Sequence, residues 1–350
     1  GYKNLSQAFK DRLSLNLNDL DKITKKIRDM QKIKSGLGEV IDKIQNSDGL
    51  ILHKVRVPLG VLLVVYESRP EVTVEVAALC IKSGNALILK GGSDARYTNK
   101  ELYGCILAAL EKAKIPKEAV CAVENRENVK KILEKNDIVD LVIARGGYDM
   151  VKSITNISKI PVLAHAAGGA RIFIDKSANL KMAEKIIMNS KLSKPAACNS
   201  LDTIVLSKSI AGKFLPHIVP LLESKKVRVL GDLEARKIFK MKAAKRKDWD
   251  KEFLGLTLSI KTVKNAKEAS EFINLHGKKH SEGIVARDKK TIKYFTGVID
   301  SAAVFVNCSP RLHDGYVFGL GAEMGIATGK LHARGPVGLK ELTTYKWEVY

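Results

Sequence analysis

The sequence is poor in cysteine, proline and aromatic residues: 350 residues include 5 Cys and 9 Pro, and Phe, Trp and Tyr together make up 6%. The cysteines are odd in number and no two form a CxxC pair. That excludes a disulfide-stapled secreted scaffold and a zinc ribbon, and makes a reducing, cytoplasmic compartment the expectation. Scarce aromatics, with no RNP-like, zinc-finger or basic-zipper pattern, leave no base-stacking platform, so no nucleic-acid partner is expected. No apolar run approaches the ~20 residues of a membrane span. The opening stretch GYKNLSQAFKDRL lacks the apolar core of a signal peptide, and no membrane partner is expected. GxGxxG, GxSxG and HExxH are all missing, which removes the ordinary dinucleotide fingerprint, the nucleophile elbow and the zincin helix. His276 and His280 stand four apart, but Gly277 interrupts the helix between them, so no metal is expected.

What the sequence does have is positive charge and apolar bulk. Lys and Arg number 60 against 38 Asp and Glu, a net charge of +22, while 45% of residues are apolar. The apolar fraction excludes a disordered chain, and the length fits two or three domains. Lysine is spread along the whole chain, and its densest stretch, Lys237–Lys251, also holds two Asp. The excess therefore reads as a lysine-biased solvated surface with a weak general pull on anionic ligands.

Residues 1–48 read as polar helices, with Leu17, Leu20, Ile23, Ile27, Met30 and Ile33 forming one apolar stripe at three- and four-residue steps. From Leu50 the pattern changes: LILHKVRVPL reads as a partly alternating strand, and GVLLVVY as the continuous apolar run of a buried parallel strand. A helix after Pro70 stops at Gly84-Asn85. Strand ALILK, helix NKELYGCILAALEKA, strand AVCAV, a helix over Glu127–Glu134, strand DLVIA and a helix around YDMVKSI follow. A second series runs from RIFID through Leu180–Met188, DTIVL, Phe214–Leu222, VRVL, LTLSI, Ala266–Leu275, EGIVA, Lys289–Phe295 and AAVFVN. Such alternation predicts parallel sheets covered on both faces, hence two α/β domains. The tail GLKELTTYKW alternates in part and reads as a hairpin strand that bridges domains or subunits.

Two strand-to-helix turns are rich in glycine, Lys90-Gly91-Gly92-Ser93 and Arg145-Gly146-Gly147. Backbone N–H groups at such helix starts favour a phosphate or ribose oxygen, and each turn has a flanking cation. The same glycines equally serve a turn that needs only backbone freedom. Cys198 lies in the small-residue loop Lys194-Pro195-Ala196-Ala197-Cys198-Asn199-Ser200, where a thiol is reachable and Lys194 can favour thiolate. Cys80, Cys105 and Cys121 sit in apolar patterns and read as small core residues. Cys308, ending a strand in VNCSPR, is the rival thiol.

Taken together, the blocks VPLGVLLVVYESRPEVTVEVAALCIKSGNALILKGGS, ARGG, KPAACNSLDT, VNCSPRLHDG and FGLGAEMGIATGKLHARGPVGLKELTTYKW resemble the gamma-glutamyl phosphate reductases, a branch of the aldehyde dehydrogenase superfamily. The resemblance runs in order from about Leu5 to Trp347. It implies two Rossmann-like parallel-sheet domains with a small bridging β element. Residues 1–172 would form an NADP-binding domain, with a bridging strand near 50–58, and 173–315 a catalytic domain. Residues 316–350 would return to the first domain and end in an oligomerising hairpin. The implied activity is NADPH-dependent reduction of L-glutamyl 5-phosphate to glutamate 5-semialdehyde through a cysteine thioester, the second step of proline synthesis. A homo-oligomer and functional coupling to a glutamate 5-kinase come with it.

By the same resemblance Cys198 is the nucleophile, with Asn199 beside it and Ser68 as a second oxyanion donor. Lys90, Gly91, Gly92, Ser93, Arg145, Gly146, Gly147 and Glu252 would hold the cofactor, Lys90 through the adenosine ribose or its phosphate and Glu252 through the nicotinamide ribose. Arg69, Arg311, His332 and Arg334 would face the anionic substrate. Two features depart from the family pattern. Gly169-Ala170-Arg171 stands where the family usually has Ile-Cys-His, which raises the alternative of a catalytically impaired NADP-binding member. The chain also opens at Gly1 without Met, as expected of a fragment or of part of a fused kinase–reductase.

Overall fold

A computed structural model describes residues 15–350 apart from Ser68 and Ala166. The chain divides into two compact units: one runs to Ala166 and resumes over Gly315–Tyr350, and the other is Ala167–Asp314.

In the first unit the apolar stripe of the sequence forms the helix Leu17–Gln31, with Ile23 and Met30 buried. Asn16 caps it by accepting from the Asp19 N–H, while the Asp19 carboxylate accepts from the Asn16 N–H. Strands β1 (Val40–Gln45) and β2 (Ile51–Pro58) follow as an antiparallel pair. The sequence predicts helix through residue 48, and β1 corrects that. The decisive signal is turn chemistry: Asn46 Oδ1 accepts from the N–H groups of Asp48 and Leu50, and Gly49 takes φ +88°, which closes a hairpin. The tail strand Thr343–Val349 pairs antiparallel with the other edge of β2. Alternation in the tail foretells a strand but not its partner, which lies almost the whole chain away rather than in a local hairpin.

The main sheet of this unit has five parallel strands in the order β5-β4-β3-β6-β7: β3 (Val61–Tyr66), β4 (Ala86–Lys90), β5 (Val120–Ala122), β6 (Leu141–Arg145) and β7 (Val162–His165). β3 is apolar throughout because both its faces are covered. Leu62, Val64 and Tyr66 enter one core cluster, and Leu63 and Val65 the other. Cys80 is buried as expected, but Cys105 and Cys121 are exposed. Helix Arg96–Lys112 buries its Ile106 and Leu110 edge, and Cys105 falls off that edge.

The second unit is one seven-stranded parallel sheet in the order β11-β10-β12-β9-β8-β13-β14. Its strands are β8 (Ala170–Ile174), β9 (Leu201–Ser207), β10 (Arg228–Gly231), β11 (Lys242–Ala243), β12 (Thr257–Val263), β13 (Ser281–Val285) and β14 (Ala303–Val306). β8 sends Ile172 and Ile174 into a cluster with helices Leu180–Leu192 and Lys208–Ser224. Phe173 points to the opposite cluster, with Ile273 and Phe295. Arg171 shares the side of Phe173 by strand alternation and is fully buried. Among the described residues no helix is long and apolar enough to cross a membrane.

Candidate active site

Cys198 sits in the loop between helix Leu180–Leu192 and β9, and its thiol is half-buried. Two backbone turns shape the loop, Ala197 N–H to the Lys194 carbonyl at 3.0 Å and Ser200 N–H to the Ala197 carbonyl at 3.0 Å. Beneath it lies the turn Gly168-Gly169. The Gly169 N–H donates to the Cys198 carbonyl at 2.5 Å, and a Cβ on Gly168 would stand 2.2 Å from that same oxygen. Gly169 takes φ +100°. Only glycine fits this approach of two backbones.

Asn199 is buried, and both ends of its amide are engaged. Its Nδ2 donates to the carbonyls of Arg311 at 3.4 Å and His313 at 3.0 Å, while its Oδ1 accepts from Arg311 Nη1. Arg311 Nε donates in turn to Ser193 Oγ at 3.2 Å. Burial pulls the Arg311 pKa down, and negative charge at Cys198 and Asp314 pulls it back up, so guanidinium and thiol lie within each other's field. Lys194 is exposed, and Arg311 is tied into this loop by side-chain bonds from far along the chain.

Glu252 joins the same unit-wide arrangement. Burial raises its pKa, against the pull of the nearby Gly168 N–H. Behind the turn lies an ionic cluster that the sequence reading missed. Arg171, Lys191, Asp202 and Glu282 are all buried. Lys191 Nζ lies 3.5 Å from Asp202 Oδ1, and burial shifts both groups toward their neutral forms. A trace of this was visible in the sequence: Arg171 and Asp202 are each second in a largely apolar strand, where a charge is out of place.

In the first unit, Lys90, Gly91, Gly92 and Ser93 line a cavity of about 380 Å³ together with Tyr66, Thr73, Arg96 and Asn99. Lys90 is buried and donates from Nζ to the Gly91 carbonyl at 2.6 Å; burial, then Arg126, lower its pKa. A Cβ on Gly91 would meet Asn99 Nδ2 at 2.2 Å. The Tyr66 hydroxyl bonds Thr73 Oγ1, and burial pushes its pKa up to about 12. The second glycine turn is arranged differently. The Gly147 N–H donates to Glu67 Oε2 at 2.7 Å, and Arg145 Nη1 donates to the Met324 carbonyl at 2.8 Å. That helix start already faces a carboxylate. His332 is exposed and donates from Nε2 to the Glu341 carbonyl at 2.8 Å. Arg69 and Arg334 are half-buried, and Ser68 lies outside the described residues.

Of the remaining thiols, Cys308 is half-buried and its pKa is raised by burial. Among the described residues no three His, Cys, Asp or Glu side chains converge as a metal site.

Comparison with known proteins places this geometry. Residues 13–237 match the sequence profile of the Aldehyde dehydrogenase family. The chain is 41% identical to the gamma-glutamyl phosphate reductase of Thermodesulfovibrio yellowstonii, over 99% of this chain and 84% of that one. Against the enzyme of the same name from Dictyoglomus thermophilum the identity is 42%, over 99% and 85%. The crystal structure of gamma-glutamyl phosphate reductase from Thermotoga maritima superposes with a TM-score of 0.97 at 41% identity, over 99% of this chain and 85% of that one. An acetylating aldehyde dehydrogenase from Geobacillus thermoglucosidasius shares the fold at 16% identity, with a TM-score of 0.69.

Proposed function

The chain belongs to the aldehyde dehydrogenase family, and we propose that Cys198 is the nucleophile with which it works. The reaction is the reduction of L-glutamyl 5-phosphate to L-glutamate 5-semialdehyde with release of phosphate, the second step of proline biosynthesis. The observation that carries the assignment is the Cys198 loop itself. The loop that carries this half-buried thiol is held from below by the Gly169 N–H on the Cys198 carbonyl, and the thiol lies in the field of the Arg311 guanidinium.

The chemistry follows from that setting. The Cys198 thiolate attacks the acyl carbon, the C–O bond to phosphate breaks, and the phosphate departs with the electron pair, leaving a thioester on Sγ. Each tetrahedral stage places negative charge on the former carbonyl oxygen. The Cys198 backbone N–H is the nearest donor by chain position, and loss of one such donor typically costs about 2.7–4 kcal/mol. Arg311 serves twice, lowering the cost of thiolate and offering a planar fork to the phosphate or carboxylate of the substrate. With its amide committed to Arg311 and His313, Asn199 fixes that fork.

The nicotinamide cofactor fits the first unit on two counts: the glycine cradle at Gly91 that a Cβ would fill, and the lysine-lined cavity beside it. When bound, the reduced nicotinamide supplies the hydride that takes the thioester to the aldehyde level. Lys90 and Ser93 would hold its adenosine end, and the positive charge of Lys90 favours a 2′-phosphate, hence NADP(H). Arg145, Gly146 and Gly147 would flank the cofactor, the Gly147 N–H being already bonded to Glu67 Oε2. In the second unit, Glu252 would hold the nicotinamide ribose. By the resemblance, Arg69, His332 and Arg334 would face the anionic substrate, and Ser68 would be a second oxyanion donor. We further propose a cytoplasmic homo-oligomer assembled through the β2–tail-strand sheet and working alongside a glutamate 5-kinase.

The test runs the reaction in reverse, with glutamate 5-semialdehyde, phosphate and NADP or NAD. Expected are phosphate-dependent formation of NADPH, slower turnover with NAD, and none with Cys198→Ala. Undiminished turnover in Cys198→Ala removes the mechanism.

A further inference from the structure

Resting on the reading of Cys198 and Glu252 above, we infer that Arg171 is a positioning residue: from inside the second unit it holds the turn beneath Cys198 and the segment carrying Glu252 in a single register. Arg171 is 0% exposed, and a guanidinium out of water is costly unless its N–H groups and charge are matched. Nε has no hydrogen-bond partner, and the groups that meet the other two nitrogens are not scattered through the core. Nη1 donates to the Gly169 carbonyl at 3.4 Å, the turn on which the Cys198 carbonyl rests, and Nη2 donates to the Trp249 carbonyl at 3.2 Å, three residues before Glu252.

Asp202 completes the clamp from the neighbouring strand. Its Oδ1 accepts from the Phe253 N–H at 3.3 Å, one residue past Glu252, and a Cβ on Gly169 would stand 2.2 Å from its Oδ2. Both ends of the segment Trp249–Phe253 and the turn Gly168-Gly169 are thus tied to two neighbouring buried side chains, Arg171 and Asp202. Glu252 stands between these two ties, its carboxyl close enough to the Gly168 N–H to feel it. The Arg171 backbone is fixed in turn, its N–H donating to Glu282 Oε2 at 2.7 Å. Core cohesion alone does not call for this arrangement, since an apolar side chain of similar volume serves a core as well as or better than a buried ion. What the guanidinium adds is direction: two N–H groups in a rigid fork, one aimed at each loop.

The test uses the full chain and four variants: Arg171→Gln, Arg171→Lys, Glu252→Gln and the double Arg171→Gln/Glu252→Gln. Affinity for NADPH is read from nicotinamide fluorescence, and cofactor KM, substrate KM and kcat from the reverse assay. Arg171→Gln is expected to weaken NADPH binding by about tenfold or more and to lower kcat, while substrate KM stays within about twofold; small misplacements of a reacting frame reach about 100-fold. Arg171→Lys keeps the charge but not the fork and should show a smaller change in the same direction. The double variant should bind NADPH no worse than the weaker single one, because both substitutions release the same segment. A residue that only supports folding would lower the active fraction and leave cofactor KM untouched. Wild-type NADPH affinity in either folded Arg171 variant, with Glu252→Gln weakened, overturns this inference alone, as does strict additivity in the double variant. Should Arg171→Gln not fold, Arg171→Lys decides the matter by the same criterion. Wild-type affinity in Glu252→Gln overturns the assignment of Glu252 itself, and this inference with it.

Discussion

The amide of Asn199 and the guanidinium of Arg311 are locked face to face: Arg311 Nη1 donates to Asn199 Oδ1, while Asn199 Nδ2 donates to the Arg311 and His313 carbonyls. The residue next to Cys198 is thus spent on aiming a cation from late in the sequence of the second unit. Arg311 also reaches Ser193 in the chain just before the Cys198 loop, so the loop is held at two points by one side chain. Charge and geometry at the thiol have a common source.

Arg311→Lys should expose that dependence. A lysine ammonium cannot bond Asn199 and Ser193 together, and its stem is flexible. Alkylation of Cys198 by iodoacetamide is expected to need higher pH than in the parent protein. The catalytic kcat/KM should fall about 10- to 100-fold, matching the loss of a charge-assisted bond worth about 1.5–3 kcal/mol. An unchanged pH profile of alkylation would separate Arg311 from the thiol.

Much of this was legible in the sequence, and the reasons differ by element. β3 is a continuous apolar run, β4 and β6 are apolar up to their terminal Lys90 and Arg145, and β8 and β9 have an apolar middle, a pattern that a doubly covered sheet rewards. The Cys198 loop stood out through its small residues. β1 was misread because VIDKIQ is exposed along its whole length, so no hydrophobic period marks it, and only the Asn46–Gly49 turn betrays the hairpin. The tail strand's partnership with β2 joins residues nearly 300 positions apart, and no local pattern encodes that. Asp202 and Glu282 escaped notice, and Arg171 stood out only as a departure from the family pattern, because each is met by groups from other elements. That partnership comes into being only when β8, β9 and β13 are assembled.

Glu282 gives the pH dependence a definite sign. Burial pushes its pKa up to about 8, with Arg171 pulling the other way. Below an ordinary carboxylate pKa of about 4.3 both folded and unfolded chains hold the proton. Between there and about 8 only the folded chain does, so stability falls as pH rises through this window, and the loss is complete above it. Each unit of separation between the two pKa values corresponds to about 1.4 kcal/mol. Denaturant unfolding at pH 5 and pH 8 should show the decline, and Glu282→Gln, which cannot ionise, should flatten it. An equal decline in Glu282→Gln would assign the effect to another group.

Gly168 makes the hardest demand on the sequence, and a single methyl group tests it. An added Cβ would lie 2.2 Å from the Cys198 carbonyl oxygen and 2.6 Å from the Cys198 Cβ. Neither neighbour is the far end of a flexible side chain, so either the turn or the nucleophile loop must shift. Overpacking of this kind costs about 1–3 kcal/mol, which a domain of ordinary stability survives. Gly168→Ala is therefore expected to fold with a modestly lowered melting temperature and to lose about 100-fold in kcat, because a displacement of about 1 Å at a reacting atom has that effect. Gly212→Ala is the matched control. It lies within helix Lys208–Ser224 with nothing within 4 Å of the added carbon, so it should leave kcat unchanged and gain about 0.5–1 kcal/mol of stability from helix propensity. If Gly168→Ala turns over as fast as Gly212→Ala, the two backbones need not touch for the chemistry to proceed, and the nucleophile is placed by something other than the turn beneath it.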